Sequence, residues 1–262
     1  MKRFLTLLRQ VAGLTLVGTA CAAPDMTLQV YADTYPPFLI EQGGRLAGPY
    51  ADAFASLARQ QGIAVQYSAM PIKRLLQQVE RQPNSCGLAV NFSPGEAETL
   101  RYVGRVAPIT LTVFARKDST AKINNIEDLR KFRVGAIDIA EVRDLLDTAN
   151  IRYEPLAMAN RGMAMLQAGR FDLLISDARP DMLGEAREGV VRIFTLAQVE
   201  RWVACHPTMV PSLVSKLRAA LVEGVFAQSV RADWARYDLA DYYEQVRRDW
   251  DAIPRPVIKR GK

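Results

Sequence analysis

The chain has 262 residues, of which 49% are hydrophobic and 24% charged. These are values of a globular protein with one large domain or two lobes. The formal net charge of +6 falls to +3 without residues 1–22, which hold Lys2, Arg3 and Arg9 and no acid. This mild charge is scattered, and no aromatic residues interleave with it, so the composition argues against nucleic-acid binding.

The first 22 residues have the anatomy of a secretory signal peptide. A basic start, MKRFLTLLR, is followed by the ten-residue apolar run VAGLTLVGTA and by the small residues ACAAP. Such a run is too short to span a membrane. We predict cleavage after Ala22 or Ala23 and export of the remaining chain. Lipidation at Cys21 is the less favoured alternative, because Gly18 stands where an apolar residue is preferred.

From Met26 the chain alternates short β-rich runs with helical patterns. The first series is strand TLQVYAD, helix AGPYADAFASLARQQG, strand AVQYSAM, helix PIKRLLQQVERQ and strand CGLAV. Strands that alternate with helices of this length predict βαβ units and a parallel sheet. After a turn-like segment, an extended stretch, APITLTVFARKDS, follows.

A second α/β series continues the chain. Helices are predicted at IEDLRKF, DIAEVRDLLDTAN (with Asp138 as N-cap), NRGMAMLQAGR and PDMLGEAR, and strands at FRVGAI, RYEPLA, FDLLISD and VVRIFTL. A further extended stretch, ERWVACHPTM, precedes a long helix with a break near Gly224 and a final helix, DLADYYEQVRRDWDAI. Two series joined by two extended stretches predict two lobes, with a ligand cleft between them.

These segments, in this order, resemble the extracellular solute-binding proteins of family 3, the periplasmic receptors of amino-acid ABC transporters. The resemblance rests on YADTYPPF, GRLAGPYADAFASLARQQG, MPIKRLLQQVERQPNSCGLAV, EDLRKFRVGAI, LQAGRFDLLISD and WVACHPTMVPSLVSKLRAALVEG, which span nearly all of the exported chain. It implies an α/β, two-lobed periplasmic-binding-protein fold of type II. Each lobe would be a mixed, mostly parallel sheet flanked by helices, and two crossing strands would join the lobes. The implied boundaries are 23–110 with 202–262 for lobe one and 111–201 for lobe two.

The resemblance also suggests a disulfide. It implies that ERWVACHP returns beside CGLAV and runs antiparallel to it, so Cys86 and Cys205 would lie at the same end of the sheet. A disulfide forms if their Cα atoms come within roughly 7 Å. Two buried free thiols are the alternative.

The family's ligand contacts map only partly onto this chain. In the family, the strand matching CGLAV leads into a Thr-x-x-Arg turn whose arginine clamps the ligand's carboxylate. Here that turn, NFSPGEAETLR, places Ser93 at the threonine and Glu96 at the arginine. Asp177 matches the acid that receives the ligand's ammonium group, and Tyr35 and Phe38 match the aromatic wall. The ammonium half of the site is therefore retained, and the carboxylate half is altered.

Three interpretations of the altered site stay open. A cationic ligand could be held by Glu96, Asp177 and the aromatic faces; Arg101 or Arg105 could replace the missing arginine; or ligand binding could be lost. Each residue also has a purely structural alternative. Asp177 could cap a helix, Tyr35 and Phe38 could be core aromatics in a rigid turn, and Glu96 could be a solvated charge.

The predicted function is capture of a small polar solute, an amino acid or a cationic amine, for an inner-membrane ABC permease. We expect a monomer that needs no cofactor or metal. The alternatives are a sensing or ligandless partner of a membrane receptor, and a dehydratase-like enzyme with Glu96 as general acid or base. A nucleophilic or metal site is not favoured, because His206 is the only histidine and neighbours Cys205 on a strand.

Overall fold

The computed structural model describes residues 26–93, 95–156, 159–177 and 189–252. The predicted signal peptide, its cleavage site and Cys21 lie outside the described residues, as do the predicted helix at 180–187 and the tail after residue 252.

The strands and helices follow the predicted order closely. The strands are β1 (Met26–Ala32), β2 (Ile40–Gln42), β3 (Arg45–Ala47), β4 (Ile63–Ala69), β5 (Ser85–Asn91), β6 (Arg101–Arg116), β7 (Val134–Ile137), β8 (Tyr153–Leu156), β9 (Leu173–Ser176) and β10 (Val190–Cys205). The α-helices are α1 (Pro49–Gln60), α2 (Ile72–Arg81), α3 (Ala140–Thr148), α4 (Ala159–Gln167), α5 (Pro211–Ala220), α6 (Arg231–Ala235) and α7 (Ala240–Ala252). The helix predicted at IEDLRKF is a 3₁₀ helix, Ile126–Lys131.

The sheet has two parallel parts with antiparallel strands between them. Its eight strands lie in the order β4-β1-β5-β10-β6-β9-β7-β8. β1 is parallel to β4 and β5, and β7 is parallel to β8 and β9. The predicted βαβ pattern explains these pairs, because a helical crossover returns the chain in the same direction. β10 runs antiparallel to β5 and β6.

β6 and β10 unite the two parts into one continuous sheet. The two strands pair with each other over their full lengths, from Arg101 against Cys205 to Arg116 against Val190. The sequence predicted VVRIFTL and ERWVACHPTM as separate extended pieces, but they form a single strand. The expectation of one sheet for each lobe is therefore replaced by a sheet that runs through both parts.

The long strands β6 and β10 each contribute residues to two separate apolar clusters. One cluster contains Leu28, Val106 and Trp234, and a second contains Ile109, Val134 and Ile175. The change between clusters falls inside the long strand β6. The lobe boundaries at 110/111 and 201/202 stay predictions.

Two local expectations are wrong. The N-cap of α3 is Ile139, whose side chain has no acceptor for a capping bond. Asp138, the predicted N-cap, lies one residue earlier and forms an ion pair with Arg143 at 2.5 Å. The long helix predicted from Pro211, with a break near Gly224, ends earlier than expected, at Ala220. Short 3₁₀ turns follow it, and Gly224 has a positive φ of 55° that an α-helix does not accommodate.

The predicted disulfide is confirmed. Cys86 and Cys205 are bonded, with an S–S distance of 2.05 Å and Cα atoms 3.9 Å apart. They face each other directly on β5 and β10, which are antiparallel as the resemblance implied. The bond fixes the end of β10 to the centre of the sheet.

Among the helices of the described residues, none combines the length and apolar character needed to cross a membrane.

Candidate functional site

The candidate site lies where the carboxyl ends of two sets of parallel strands come together. β1 and β5 are parallel neighbours in one part of the sheet, as β7 and β9 are in the other. The site residues follow or end these strands: Tyr35 after β1, Asn91 at the end of β5, Glu141 after β7 and Asp177 after β9. In α/β proteins, ligands bind in the crevice outside the carboxyl ends of the strands.

Tyr35 and Asp177 connect the two parts directly. The Tyr35 hydroxyl donates a hydrogen bond to Asp177 Oδ2, although 142 positions separate the two residues in sequence. Burial first, and the charge of Asp177 second, raise the pKa of the Tyr35 phenol well above its usual range. The phenol therefore stays protonated at neutral pH and keeps its proton for the carboxylate.

A buried arginine faces Tyr35 from the second long strand. Arg201, in β10, is only 6% exposed, and its Cζ lies 5.4 Å from the centre of the Tyr35 ring, within the range of a cation–π contact. Its guanidinium donates no hydrogen bond to any of the described residues. Such a guanidinium is suited to an anionic group of a ligand.

Glu141, in the first turn of α3, is the counter-ion of Arg201. Its Oε1 lies 3.6 Å from Arg201 Nη1, beyond the ~2.7–2.9 Å of a charge-assisted hydrogen bond. Its Oε2 accepts a hydrogen bond from Asn91 Nδ2. Burial raises the pKa of the Glu141 carboxyl, and the charge of Arg201 offsets this only in part. The ion pair is therefore loose.

The turn that carries Ser93 and Glu96 packs on Tyr102. The Tyr102 hydroxyl is shared between the Asn91 carbonyl oxygen, at 3.0 Å, and Glu96 Oε2, at 3.3 Å, and it accepts from Ser93 N at 3.2 Å. Burial raises the pKa of Glu96. The hydrogen bond from Tyr102 lowers this pKa in part, and the negative charge of Glu80 raises it further. Within the described part of the chain, this carboxylate makes no hydrogen bond to Tyr35 or Arg201.

The two arginines predicted as substitutes contact other groups. Arg105 Nη1 lies 2.5 Å from Glu200 Oε1, and Arg101 Nη1 donates to the Met209 carbonyl oxygen at 3.4 Å. The structure instead brings a third arginine, Arg201, to the tyrosine.

Phe38 supports Tyr35 from the core. It is 4% exposed and stacks on Tyr50 with ring centres 4.7 Å apart. Its ring centre is 5.3 Å from that of Tyr35. Phe38 is therefore a core residue beneath the turn, and a contact of either aromatic ring with a ligand stays a prediction.

Sequence reasoning missed Arg201, Glu141 and Asn91. A signal existed for the first, because Arg201 is a lone arginine entering the apolar run WVAC of a predicted strand. No local pattern pointed to Glu141 or Asn91, since their contact joins residues 50 positions apart. The described residues contain no group of three or more His, Cys, Asp or Glu side chains that could hold a metal ion.

Neither a protein-family model nor a curated protein matches the sequence. Solved structures match it in fold. One is a histidine kinase sensor domain with similarity to periplasmic binding proteins (18% identity, 88% of this chain, 98% of that chain, TM-score 0.64). Another is an ancestral arginine-binding protein bound to arginine (17% identity, 80% of this chain, 97% of that chain, TM-score 0.60). A third is the GluR0 ligand-binding core in complex with L-glutamate (14% identity, 84% of this chain, 99% of that chain, TM-score 0.66).

At these identities the likeness shows the fold alone. The three structures are a sensor domain, an arginine-binding protein and a ligand-binding core, so proteins with different roles share this fold. The coarser part of the fold that the resemblance implied is confirmed: the chain has the α/β fold of the family 3 solute-binding proteins, and the division into two lobes stays a prediction.

Proposed function

We propose that this protein binds a small polar solute carrying an ammonium group, an amino acid or a cationic amine. The observation that carries the proposal is the Tyr35–Asp177 contact at the carboxyl ends of β1 and β9, beside a buried arginine. A carboxylate that accepts a hydrogen bond in a half-buried crevice can exchange that donor for an ammonium group at little cost. The related structures bound to arginine and to L-glutamate support a solute of this class.

Binding closes two lobes about β6 and β10, by this proposal. The first lobe contributes Tyr35 and the second contributes Asp177, so one solute would contact both. Ligand contacts made only in the closed arrangement shift the population toward it. The split of the apolar core along β6 and β10 supports such a hinge.

The protein acts outside the cytoplasm, in the periplasm, as the predicted signal peptide implies. A disulfide between Cys86 and Cys205 supports this location, because disulfides persist in oxidising compartments. There the protein, as a monomer, hands its solute to an inner-membrane ABC permease.

The test is calorimetric titration of residues 24–262 with amino acids and amines, before and after Asp177→Asn. Loss of a charged hydrogen bond should weaken binding by about 1.5–3 kcal/mol. Asp118→Asn is the matched control, since Asp118 is exposed and pairs with Arg116 on the surface. Equal affinities for the wild-type protein and Asp177→Asn, with binding intact, would contradict the role of Asp177. Absence of binding to any compound of either class would reject the proposed function.

A sensor role is the second candidate, favoured by the match to a histidine kinase sensor domain over 98% of that domain. A sensor would bind a solute in the same way and pass the signal to a membrane receptor. Cross-linking of the exported protein in cells discriminates the two: capture of a permease supports transport, and capture of a receptor supports sensing. The enzymatic alternative, with Glu96 as acid or base, requires turnover of a bound compound. Each compound of the titration panel can be assayed for conversion to product by the protein.

A further inference from the structure

We propose that Arg201 receives the anionic group of the ligand, and that Glu141 occupies this position on Arg201 until the ligand displaces it. The inference rests on the proposed function and deepens it. It assigns the carboxylate half of the site to a residue from the second long strand, in place of Arg101 or Arg105. It also gives the site a built-in competitor for that residue.

Arg201 has the features of an anion receptor. It is buried, lies directly opposite Asn91 on the paired strand β5, and donates no hydrogen bond within the described ranges. A guanidinium offers a planar fork of donors that fits a carboxylate with two parallel bonds. Because the Arg201 side chain keeps 8% exposure and lies no closer than 3.6 Å to its counter-ion Glu141, its donors are available to the anionic group of a ligand.

Glu141 has the features of a placeholder rather than a permanent partner. Its distance of 3.6 Å to Arg201 gives charge attraction without a hydrogen bond. Its other oxygen is held by Asn91 Nδ2, while Asn91 Oδ1 is buried and without a partner. The pKa of Glu141 is raised by burial despite the neighbouring positive charge, so the carboxylate gains less from Arg201 than it loses to burial.

Tyr35 sets the spacing between the two halves of the ligand. Its ring faces Arg201 and its hydroxyl bonds Asp177. An α-amino acid lying across this ring would place its carboxylate toward Arg201 and its ammonium group toward Asp177. An amine without a carboxylate would use Asp177 alone and leave Glu141 on Arg201.

The specificity of the site then depends on an exchange of carboxylates. The ligand's carboxylate gains a hydrogen-bonded guanidinium, and Glu141 moves toward solvent, where it keeps its charge. Removing the Glu141 charge should therefore favour ligands with a carboxylate and leave amines little changed. Removing the Arg201 charge should weaken binding of ligands with a carboxylate and also leave amines little changed.

The experiment measures affinities for matched pairs that differ only in the α-carboxylate: arginine and agmatine, lysine and cadaverine, glutamate and 4-aminobutyrate. We expect Arg201→Gln to weaken binding of the amino acid about 10- to 100-fold and binding of its decarboxylated partner much less. Glu141→Gln should strengthen binding of the amino acid. Arg116→Gln is the control, because Arg116 pairs with Asp118 at the far end of β6.

Glu141→Gln keeps the proposal testable if Arg201→Gln does not fold, since the two variants act in opposite directions. Equal losses for both members of a pair in Arg201→Gln, or weaker amino-acid binding in Glu141→Gln, would overturn the proposal. So would a selective loss in Arg105→Gln instead. Wild-type protein that binds amines but no amino acid would also overturn it while leaving the proposed function standing. Wild-type protein that binds neither member of any pair would reject the proposed function itself.

Discussion

Reducing the disulfide should lower the stability of the protein by a measurable amount. The perturbation is reduction of the Cys86–Cys205 bond, or its removal by Cys86→Ala with Cys205→Ala. The bond joins residues 119 positions apart, so it closes almost half of the chain into one loop. Opening that loop gives the unfolded chain more conformations, and the loss of stability follows from this gain.

The magnitude can be worked from the loop length. For a loop of this size, chain entropy gives a stabilisation of ~5 kcal/mol, and removal of native disulfides costs about 2–5 kcal/mol in practice. At about 2–4 °C for each kcal/mol in a chain of this size, the melting temperature should fall by roughly 5–20 °C. Both sulfur atoms are buried in the core, so the alanine variant adds a packing loss that reduction alone does not.

The assay is urea unfolding of residues 24–262 with and without a reductant. The wild-type protein should unfold at a lower urea concentration when reduced. The double variant Cys86→Ala with Cys205→Ala should unfold at the same urea concentration with and without the reductant. Thiol titration in denaturant should find no free thiol in the oxidised protein, because residues 24–262 contain only these two cysteines. Two free thiols, or identical unfolding curves with and without the reductant, would refute the reasoning.

Two further predictions concern Gly48 and the turn that carries Glu96. Gly48→Ala should lower the free energy of unfolding by about 1–3 kcal/mol through backbone strain at φ 109°, and by more because its Cβ would lie 2.4 Å from the Phe38 carbonyl oxygen. Urea unfolding measures the loss, and Gly44→Ala is the control because Gly44 has a φ of 75° but open space around it. Equal losses in the two variants would contradict a contact at Gly48. Glu96→Gln tests the raised pKa of Glu96. A carboxyl whose pKa is raised on folding contributes stability at pH values below its unfolded pKa, and this contribution is lost as the pH rises through the folded-state pKa. The variant should therefore melt with the wild-type protein near pH 4 and slightly above it at pH 7, and a variant that melts lower at pH 7 would contradict the assigned cause.

Much of the fold could be predicted from local pattern. The alternation of apolar strands with amphipathic helices predicted β1, α1, β4, α2 and β5 in order, because the two periodicities depend only on neighbouring residues. The predicted elements do not include the β2–β3 hairpin, although Gly43 and Gly44 between two short runs are a hairpin signal. The continuity of β10 is not predicted either, because nothing local joins two extended pieces into one strand.

The candidate site was predicted only where a resemblance supplied it. Tyr35 and Asp177 came from the family pattern, and the structure brings them into contact. Phe38 came from the same pattern but lies in the core. The family pattern does not include Arg201 or Glu141. The only local signal is the position of Arg201 before the apolar run WVAC, because a glutamate in a first helical turn is ordinary in sequence.

The sequence by itself determined the type and order of the elements, the export signal as a prediction, and the pair of cysteines that could bond. Tertiary structure alone decided which charges meet. Arg201, Glu141 and Asn91 lie in three separate elements, and their contact depends on where β5, β10 and α3 come together. Hydrogen bonds within helices and turns are local and leave a pattern in the sequence, whereas the partner of a buried charge is set by packing between distant segments.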